Sequence, residues 1–426
     1  MKNYIPKRIL DIINCLKAKG FEAYLVGGCV RDFLLNKTPK DFDISTNATV
    51  EEMLEVFKEY HIINNNGLKH ATVSLRYQDD TIEVTSYRNE NDYSIYGDLK
   101  KRDLTINAIA YDGEFIDPFG GVKDILNKII KVCDNDSFTN DYLRILRALR
   151  FSSLLGFSIE DNTKELIKKE YTGLEGISKE RIAKELIGIL EGENVFEILS
   201  EFKEVFSFII PELKTTINFN QHNKYHTHDV YTHTLYVVSK SKPNYITRLA
   251  ALLHDIGKPN CFTMDENGNG HFYGHPLESY HLSKKILSRL RFSTSDIDEI
   301  LYLVRYHDDR VTSKKGIKRL LSKAPNCSME LFLKLIDLQI ADRLDHVNLD
   351  YDIDQNKINQ LLEEIKKEES CLKVTDIEVK GQDLMNLGIY NKKIKEVQLQ
   401  LLDLIIDEKL ENKKDVLLEY IKNNLL

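Results

Sequence analysis

The chain has 426 residues, a formal net charge of −8 and 42% hydrophobic residues. This length exceeds what one hydrophobic core usually holds, which predicts two to four domains. The six cysteines include no Cys-x-x-Cys pair, so they fit free thiols in a reducing compartment and argue against a zinc ribbon. With no apolar run of membrane length and no apolar signal core, the sequence predicts a cytoplasmic protein without a membrane partner.

The negative charge does not exclude a nucleic-acid partner, because binding to a phosphate backbone needs only a local basic surface. Basic residues do form clusters, although most lysine runs are solvated helix faces. These clusters lie at residues 100–102, 144–150, 179–184 and 314–319. For the last cluster, both a solvated face and a binding surface stay open as interpretations.

The N-terminal part alternates short strands and helices up to about residue 125. Strands are predicted at 22–27, 41–45, 71–77, 81–87 and 105–111, and helices at 5–19 and 49–59. From about residue 140, leucines repeat at helical spacing and the pattern becomes helical. The later helices are predicted at 140–152, 178–191 and 194–206, and helical segments across 229–345 and 354–426.

The most informative segment is residues 25–35, which read LVGGCVRDFLL and are followed by Asp41 and Asp43. Alternate residues of a strand point to one face, so the two aspartates are expected side by side. Adjacent carboxylates repel unless a cation lies between them, which predicts a magnesium site. Gly27 and Gly28 let the backbone approach a triphosphate closely. The segment therefore predicts phosphoryl or nucleotidyl transfer, the alternative being a surface Asp-x-Asp after an ordinary glycine turn.

A second group of ligand-type residues follows an Asn-, Gln- and His-rich linker at 218–233, and it includes the block LLHDIGKP at 252–259. Neutral imidazoles with carboxylates suit a transition metal such as manganese, iron or nickel, with Mg²⁺ as the alternative. The candidate ligands are His233, His254, Asp255, His275, His307 and Asp342.

These blocks carry a family resemblance. The glycine turn with Asp41 and Asp43 resembles the polymerase-β-like nucleotidyltransferases, specifically the class II (bacterial-type) CCA-adding and poly(A) polymerase family. Four further segments resemble that family's motifs in the same order, and residues 252–259 resemble the HD phosphohydrolase superfamily. The four segments are 101–108, 117–121, 140–151 and 178–185.

The resemblance implies an α/β nucleotidyltransferase head (polymerase-β-like) followed by an all-α remainder. The implied domains are a head at 1–130, a helical neck and RNA-binding region at 131–217, an HD domain at 218–346 and a C-terminal helical tail at 347–426. Asp41 and Asp43 are the implied catalytic ligands for Mg²⁺, and Glu83 is either a third carboxylate or a solvated strand residue.

The resemblance also implies the partners, which are the tRNA 3′ end and CTP, with ATP as a further nucleotide. Asp141 and Arg144 are expected on one helix face, where they would accept cytosine and adenine, or else form an ordinary ion pair. Arg181 and Glu185 are either a helix-stabilising pair or a support for the nucleotide site. The implied nucleotide-binding residues are Gly27, Gly28, Arg31, Arg102, Asp103, Asn107, Asp141, Arg144, Arg147 and Arg150.

The interval at residues 89–101 is shorter than the loop that CCA-adding relatives carry before their Arg-Arg-Asp block. Because that loop is thought to help reposition the larger purine, its shortness predicts an enzyme that adds CMP and stops at CC. Full CCA addition, a poly(A) polymerase and an HD phosphohydrolase with an RNA-binding head are the alternatives. The HD part is implied either to hydrolyse phosphoesters at RNA ends or to be structural.

Overall fold

The structure is a computed structural model that describes residues 5–63, 71–77, 80–88, 92–223, 227–311, 313–345, 354–368 and 370–426. It divides into an N-terminal unit, Met1–Ile209, and a C-terminal unit, Ile210–Leu426. Among the described residues, every helix is too short or too polar to span a bilayer.

The N-terminal unit is built on a mixed seven-stranded sheet. Its strands are β1 Ala23–Val26, β2 Asp43–Thr46, β3 His61–Ile63, β4 Thr72–Tyr77, β5 Asp80–Ser86, β6 Ala110–Tyr111 and β7 Phe115–Ile116. Their order is β3-β4-β5-β2-β1-β6-β7, and β2 runs parallel to β5 with Asp43 opposite Glu83. Two further strands, β8 Ile129–Ile130 and β9 Ser158–Ile159, pair in parallel outside this sheet.

Helices pack on the sheet, and the part of the N-terminal unit that follows β9 is helical. Thr49 and Glu52 form a capping box that starts α3, and Gly156 ends α7 with a φ of 66°. The helices are α1 Lys7–Ala18, α2 Gly28–Leu34, α3 Val50–Val56, α4 Ile95–Lys100, α5 Gly121–Asn127, α6 Ser137–Asn140, α7 Leu143–Leu155, α8 Asp161–Glu170, α9 Lys179–Leu190, α10 Val195–Glu201 and α11 Lys203–Ile209.

The C-terminal unit is almost entirely helical. Its short hairpin consists of β10 Thr263–Met264 and β11 Gly270–His271. Its last helices have their own buried core, which includes Leu384, Leu401 and Leu417. The helices are α12 Val230–Lys240, α13 Tyr245–Leu253, α14 His275–Arg289, α15 Thr294–Tyr306, α16 Lys314–Lys323, α17 Met329–Arg343, α18 Gln355–Lys367, α19 Gly381–Asn386, α20 Lys392–Ile406 and α21 Lys414–Asn424.

The predicted fold class, an α/β head followed by helices, is confirmed. Four local predictions were wrong. The helix predicted at 194–206 is divided at Phe202 into α10 and α11. Strand β2 begins at Asp43, so Asp41 precedes the strand instead of sharing it. Residues 105–107 form a 3₁₀ turn, and only Ala110–Tyr111 is strand. The helix predicted at 140–152 is interrupted at Asp141, whose backbone is extended. The four domain boundaries stay a prediction, and residues 89–91 of the short interval lie outside the described residues.

The basic cluster on α16 is neutralised within its own unit. Lys314 and Lys318 pair with Glu368, which follows α18. Lys315 and Arg319 pair with Asp407, which follows α20, at 3.4 and 2.5 Å. Because these charges already have acidic partners, the cluster at 314–319 ties α16 to α18 and α20, which disfavours the interpretation as a binding surface.

A fully buried carboxylate fastens α4 to the central sheet. Asp98 accepts hydrogen bonds from the hydroxyl of Ser45 on β2 (3.1 Å) and from the backbone N–H of Arg88 (3.2 Å). Arg102 donates to it twice, from Nε at 3.2 Å and Nη2 at 3.0 Å. Asp98 therefore sets the position of the Arg102 side chain.

Replacing Asp98 by alanine is expected to lower the free energy of unfolding of the N-terminal unit by about 3–5 kcal/mol, because the buried Arg102 charge would lose its partner. The measurement is urea denaturation with proteolysis to identify which unit unfolds. Glu55→Ala, which removes an exposed ion pair on α3, is the control and should leave the midpoint unchanged. Equal midpoints for Asp98→Ala and the control would show that the network is not stabilising.

Candidate active site and metal centre

The N-terminal unit contains a cavity of about 480 Å³ at the glycine turn. The structure brings all ten sequence-predicted nucleotide-binding residues to its wall, although they come from separate segments between residues 27 and 150. Three further side chains that contact the same space, those of Arg88, Leu143 and Phe151, were not predicted as binding residues. Arg181 also lines the cavity, although in the sequence it was identified only as part of the motif at 178–185.

The cavity wall is strongly positive. Seven arginines and three aspartates are among its lining residues, so an anionic ligand is favoured there. Three of these guanidinium groups gather around the ring of Phe151, with their central carbons 4.8 Å (Arg31), 5.6 Å (Arg147) and 4.3 Å (Arg150) from its centroid. These distances are typical of cation–π contacts, which help to fix the directions of the three charges.

Gly27 lies where no larger residue fits. Its φ of 75° and ψ of −137° are unfavourable for residues with a Cβ. A Cβ at this position would lie 2.9 Å from Nη1 of Arg102 and 3.4 Å from a carboxylate oxygen of Asp43. The glycine therefore lets the turn, the arginine and the carboxylate meet at one point.

Carboxylates converge at the edge of the cavity. Burial raises the pKa of Asp43, and the nearby Asp41 acts in the same direction, while Arg102 and Arg88 oppose the shift. Burial also raises the pKa of Glu83, and both aspartates add to that shift. Mutual repulsion of this kind fits a cation between the carboxylates. Asp41 does not line the cavity, and within the described residues these three groups do not form a tight ligand cluster.

A chain of hydrogen bonds organises the middle of the cavity. Arg31 donates to Asn107 (2.7 Å), and Asn107 donates to Asp103 (3.1 Å). Arg147 directs both Nε and Nη2 at one oxygen of Asp103, each at 2.7 Å. Burial by itself would raise the pKa of Asp103, but Arg147 and Asn107 outweigh it and lower the pKa. Asp103 is therefore ionised and holds Arg147 in place.

The two residues predicted to read the base do not share a helix face. Asp141 lies between α6 and α7, where it accepts a hydrogen bond from the backbone N–H of Leu143 (3.0 Å). Arg144 donates to the carbonyl of Lys101 (2.7 Å) and to Ser137. Among the described contacts the two make no ion pair with each other, yet both line the cavity.

The predicted pairing within α9 is also replaced by contacts between helices. Arg181 pairs with Asp141 at 3.0 Å, and Glu185 accepts from Nε of Arg150 at 2.6 Å. A Cβ on Gly188 would lie 2.3 Å from Cδ of Arg150, so this glycine allows α9 to approach α7 closely. Helix α9 therefore holds Arg150 through Glu185 and contributes Arg181 to the cavity wall, and its support of a nucleotide site stays a prediction.

The C-terminal unit gathers all six predicted metal ligands, which come from α12, α14 and α17 and from the ends of α13 and α15. Asp255 lies at the centre, with one oxygen 3.2 Å from Nε2 of His254 and the other 3.2 Å from Nε2 of His275. His233 lies 3.0 Å from Asp342. Ligand atoms of His233, His254 and Asp255 lie within 4.8 Å of one another, as do those of Asp255, His275 and His307.

The histidine rings are oriented for a cation. Nδ1 of His254, His275 and His307 each lies 2.7–2.9 Å from a backbone carbonyl oxygen, so Nδ1 donates its proton there and Nε2 is the atom that faces the cluster. Nε2 of His275 and Nε2 of His307 are 3.2 Å apart. Two lone pairs this close repel, and a cation relieves the repulsion. The residues present therefore fit a divalent metal ion.

The charges in this cluster are strongly coupled. Burial lowers the pKa of His307 to about 3, and the neighbouring His254 and His275 add to the effect. Burial by itself would also lower the pKa of His254. The carboxylates of Asp255 and Asp342 outweigh burial and raise this pKa to about 10. A metal ion would take the place of that proton, so binding is coupled to proton release.

Sequence reasoning missed two residues of this centre. The buried Lys258 places Nζ 2.6 Å from Asp255 and 2.9 Å from Gln221. Asp345 lies 2.9 Å from Nδ1 of His233 and so orients that ring. Lys258 lies in the block at 252–259, which could have identified it as a site residue. No sequence pattern indicated a role for Asp345. Asp255, Lys258, His275, His307 and Asp342 line a cavity of about 580 Å³.

The full chain is expected to retain Mn²⁺ or Co²⁺ after loading and desalting, and His254→Ala or Asp255→Ala to lose it, because each removes a central ligand. Metal content is measured by mass spectrometry. His281→Ala, an exposed histidine on α14, is the matched control and should keep the metal. A His254→Ala protein with the wild-type metal content would contradict this assignment.

Three family models match the chain in sequence. They are the poly A polymerase head domain at residues 23–131, the probable RNA and SrmB-binding site of polymerase A at 156–216, and the HD domain at 225–346. A CCA-adding enzyme of Enterococcus faecalis is 42% identical over 205 residues, which cover 44% of this chain and 50% of that protein. The chain thus spans about half the length of the curated relatives it matches.

Solved structures resemble the fold over the whole chain. The crystal structure of the Bacillus stearothermophilus CCA-adding enzyme in complex with CTP gives a TM-score of 0.75 at 24% identity, covering 98% of this chain and 97% of that one. A Thermotoga maritima CCA-adding enzyme complexed with tRNA-CCA gives 0.59 at 22% identity, covering 99% and 97%. The three family models, in this order, identify a poly A polymerase head domain, a probable RNA-binding region and an HD domain in this chain, and the solved structures show that its fold is that of CCA-adding enzymes.

Proposed function

We propose that this protein is a tRNA nucleotidyltransferase that adds the CCA end, taking CMP from CTP and AMP from ATP. The observation that carries the proposal is the convergence of the glycine turn, Asp43 and the arginine-rich wall on one cavity. The names of the matched relatives, and the CTP and tRNA in related structures, support it.

The reaction joins the 3′ oxygen of tRNA to the α-phosphorus of the nucleotide and breaks the bond to pyrophosphate. Asp41 and Asp43 would hold Mg²⁺, which when bound activates the attacking hydroxyl and neutralises the leaving group. The guanidinium groups of Arg31, Arg147 and Arg150 neutralise the triphosphate and position it. Gly27 and Gly28 let the phosphates approach the backbone.

Base choice falls to Asp141 and Arg144 in this proposal. A carboxylate accepts from the exocyclic amine of cytosine or adenine, and a guanidinium donates to the adjacent ring nitrogen. Uracil and guanine present the opposite pattern. Since Arg181 already holds Asp141 and the Lys101 carbonyl already orients Arg144, the two groups are positioned from different elements and do not need a shared helix face.

Full CCA addition is better supported than addition of CC alone. The matched relatives are called CCA-adding enzymes, which favours what was an alternative at the sequence level over the main prediction. The short interval also contains α4, and Asp98 of that helix holds Arg102 at the cavity. Because part of the interval is an ordered helix tied to the site, its shortness alone does not indicate a lost function.

A second activity is favoured by the C-terminal unit. The metal-type cluster lines a cavity and includes a lysine against its central carboxylate. Such a site suits hydrolysis of a phosphoester by a metal-activated water. We infer that the HD domain hydrolyses phosphoesters of RNA ends or nucleotides, independently of the head. A poly(A) polymerase remains the alternative for the head, and repeated AMP addition would distinguish it.

Asp43→Ala and Asp41→Ala are expected to reduce addition of labelled CMP to tRNA lacking CCA by about 100-fold or more, since each removes a metal ligand worth several kcal/mol to the transition state. Glu114→Ala, an exposed carboxylate elsewhere in the head, serves as the matched control. Circular dichroism checks folding. Near-wild-type addition by Asp43→Ala in Mg²⁺ would refute the head assignment.

On a tRNA that ends in CC, the wild-type protein is expected to add one AMP from ATP and then stop. The product is read at single-nucleotide resolution on a gel. No addition of AMP would restore the CC-adding interpretation, and a long adenylate tail would identify a poly(A) polymerase. Incorporation of UMP or GMP at comparable rates would contradict the base-reading role of Asp141 and Arg144.

A further inference from the structure

The cavity beside the histidine cluster has two chemically different parts. One part carries the metal-type groups and Lys258, which suit a metal-bound phosphoester. The other part is formed by the β10–β11 hairpin and the turn that follows it, which contribute Asn269, His271 and Tyr273. Hydrolysis of a small phosphoester needs only the first part, so the second part calls for a separate explanation.

Tyr273 presents an open aromatic face at this second part. The residue is 79% exposed, and its ring stacks on His271 with centroids 5.4 Å apart and an angle of 7° between the planes. His271 is held in turn by Asp265, whose Oδ2 lies 3.1 Å from Nε2 of His271. A single exposed aromatic residue needs no explanation, but this one is supported from behind and borders a charged cavity.

Asp265 makes the support rigid. One of its oxygens accepts the backbone N–H groups of Asn267 (2.9 Å) and Asn269 (2.8 Å), while the other accepts the Asn269 side chain at 3.0 Å and faces His271. The hairpin turn, His271 and Tyr273 therefore form one connected platform. The turn ends at Gly274, whose φ of 82° leads directly into His275 of the metal cluster.

A ligand that matches both parts has an anionic phosphoester and a planar ring. Nucleotides have this combination, and bases of any sequence stack on aromatic side chains because each has a π face. We propose that Tyr273 is a specificity-determining residue of the HD cavity, where it stacks on the base of a nucleotide whose phosphate lies at the histidine cluster. This inference rests on the hydrolytic function proposed above. In the reaction a water oxygen bonds to phosphorus, the bond to the ribose oxygen breaks, and that oxygen receives the proton.

The first test compares two substrates of the full chain in Mn²⁺. Tyr273→Ala is expected to raise the KM for adenosine 3′-monophosphate by about 10-fold relative to the KM for glycerol 2-phosphate, which has no base. Tyr273→Phe keeps the ring and should restore the wild-type ratio. An unchanged ratio in Tyr273→Ala would overturn the proposal. A short RNA with a 3′-phosphate, run in parallel, tells an RNA end from a free nucleotide by its lower KM.

The second test does not depend on turnover. The chain contains no tryptophan, so Tyr273→Trp creates a single fluorescent reporter at the platform. Adenosine 3′-monophosphate is expected to quench it, whereas glycerol 2-phosphate is not. Tyr390→Trp, at a 58% exposed tyrosine of the same unit, is the control and should show no quenching.

The two tests separate the two claims. Quenching at position 273 without hydrolysis would leave the nucleotide site in place and refute the hydrolytic function. Hydrolysis without quenching, and with an unchanged KM ratio in Tyr273→Ala, would refute the nucleotide site and leave the hydrolytic function in place.

Discussion

The N-terminal cavity depends on holding seven arginine side chains close together without letting their charges drive them apart. Arginine stays protonated at any relevant pH, so the repulsion is permanent. Three carboxylates offset it: Asp103, which itself lines the cavity, pairs with Arg147, while Asp98 and Glu185, which do not line it, pair with Arg102 and Arg150. Each pair leaves part of the guanidinium facing the cavity. The wall therefore keeps an excess of positive charge, with seven arginines against three aspartates, while ion pairs hold its side chains in place.

The C-terminal centre inverts this arrangement. There the buried groups are carboxylates, imidazole rings and the ammonium group of Lys258, and backbone carbonyls and Asp345 fix the histidine rings from outside by accepting from Nδ1. The wall of the first site carries more arginines than aspartates, whereas the second site gathers Asp255 and Asp342, which Lys258 offsets only in part. In the proposed function a triphosphate would balance the first site and a metal ion the second, so each proposed ligand follows from the charge that the surrounding side chains leave unbalanced.

The sequence predicted which residues gather in both sites but not how their side chains pair. The ten cavity residues could be predicted because they lie in short sequence blocks. The glycines and charged residues of these blocks have few structural roles other than ligand binding. The pairing of Arg181 with Asp141 was not, since i,i+4 spacing indicated a contact with Glu185 inside α9. Tertiary packing of α9 against α7 decided otherwise, and Gly188 gave no local sign of that contact.

Local backbone breaks explain the other differences. The helical spacing of the leucines predicted one helix through Asp141, but the backbone is extended there and its carboxylate accepts the N–H of Leu143, a local alternative to a continuous helix. Arg88 and Asp345 were missed because neither belongs to a motif. Their roles come only from the elements that fold next to them.

The start of β2 at Asp43 has a consequence for how the head would be loaded. Asp43 is fixed by the hydrogen-bond ladder to its neighbouring strands, whereas Asp41 lies before the ladder begins. The strand ladder thus fixes the backbone of Asp43 but not that of Asp41. In the proposed function the two carboxylates would therefore contribute unequally to holding Mg²⁺, and oxygens of the nucleoside triphosphate would complete its coordination. Cation and nucleotide occupancy would then rise together.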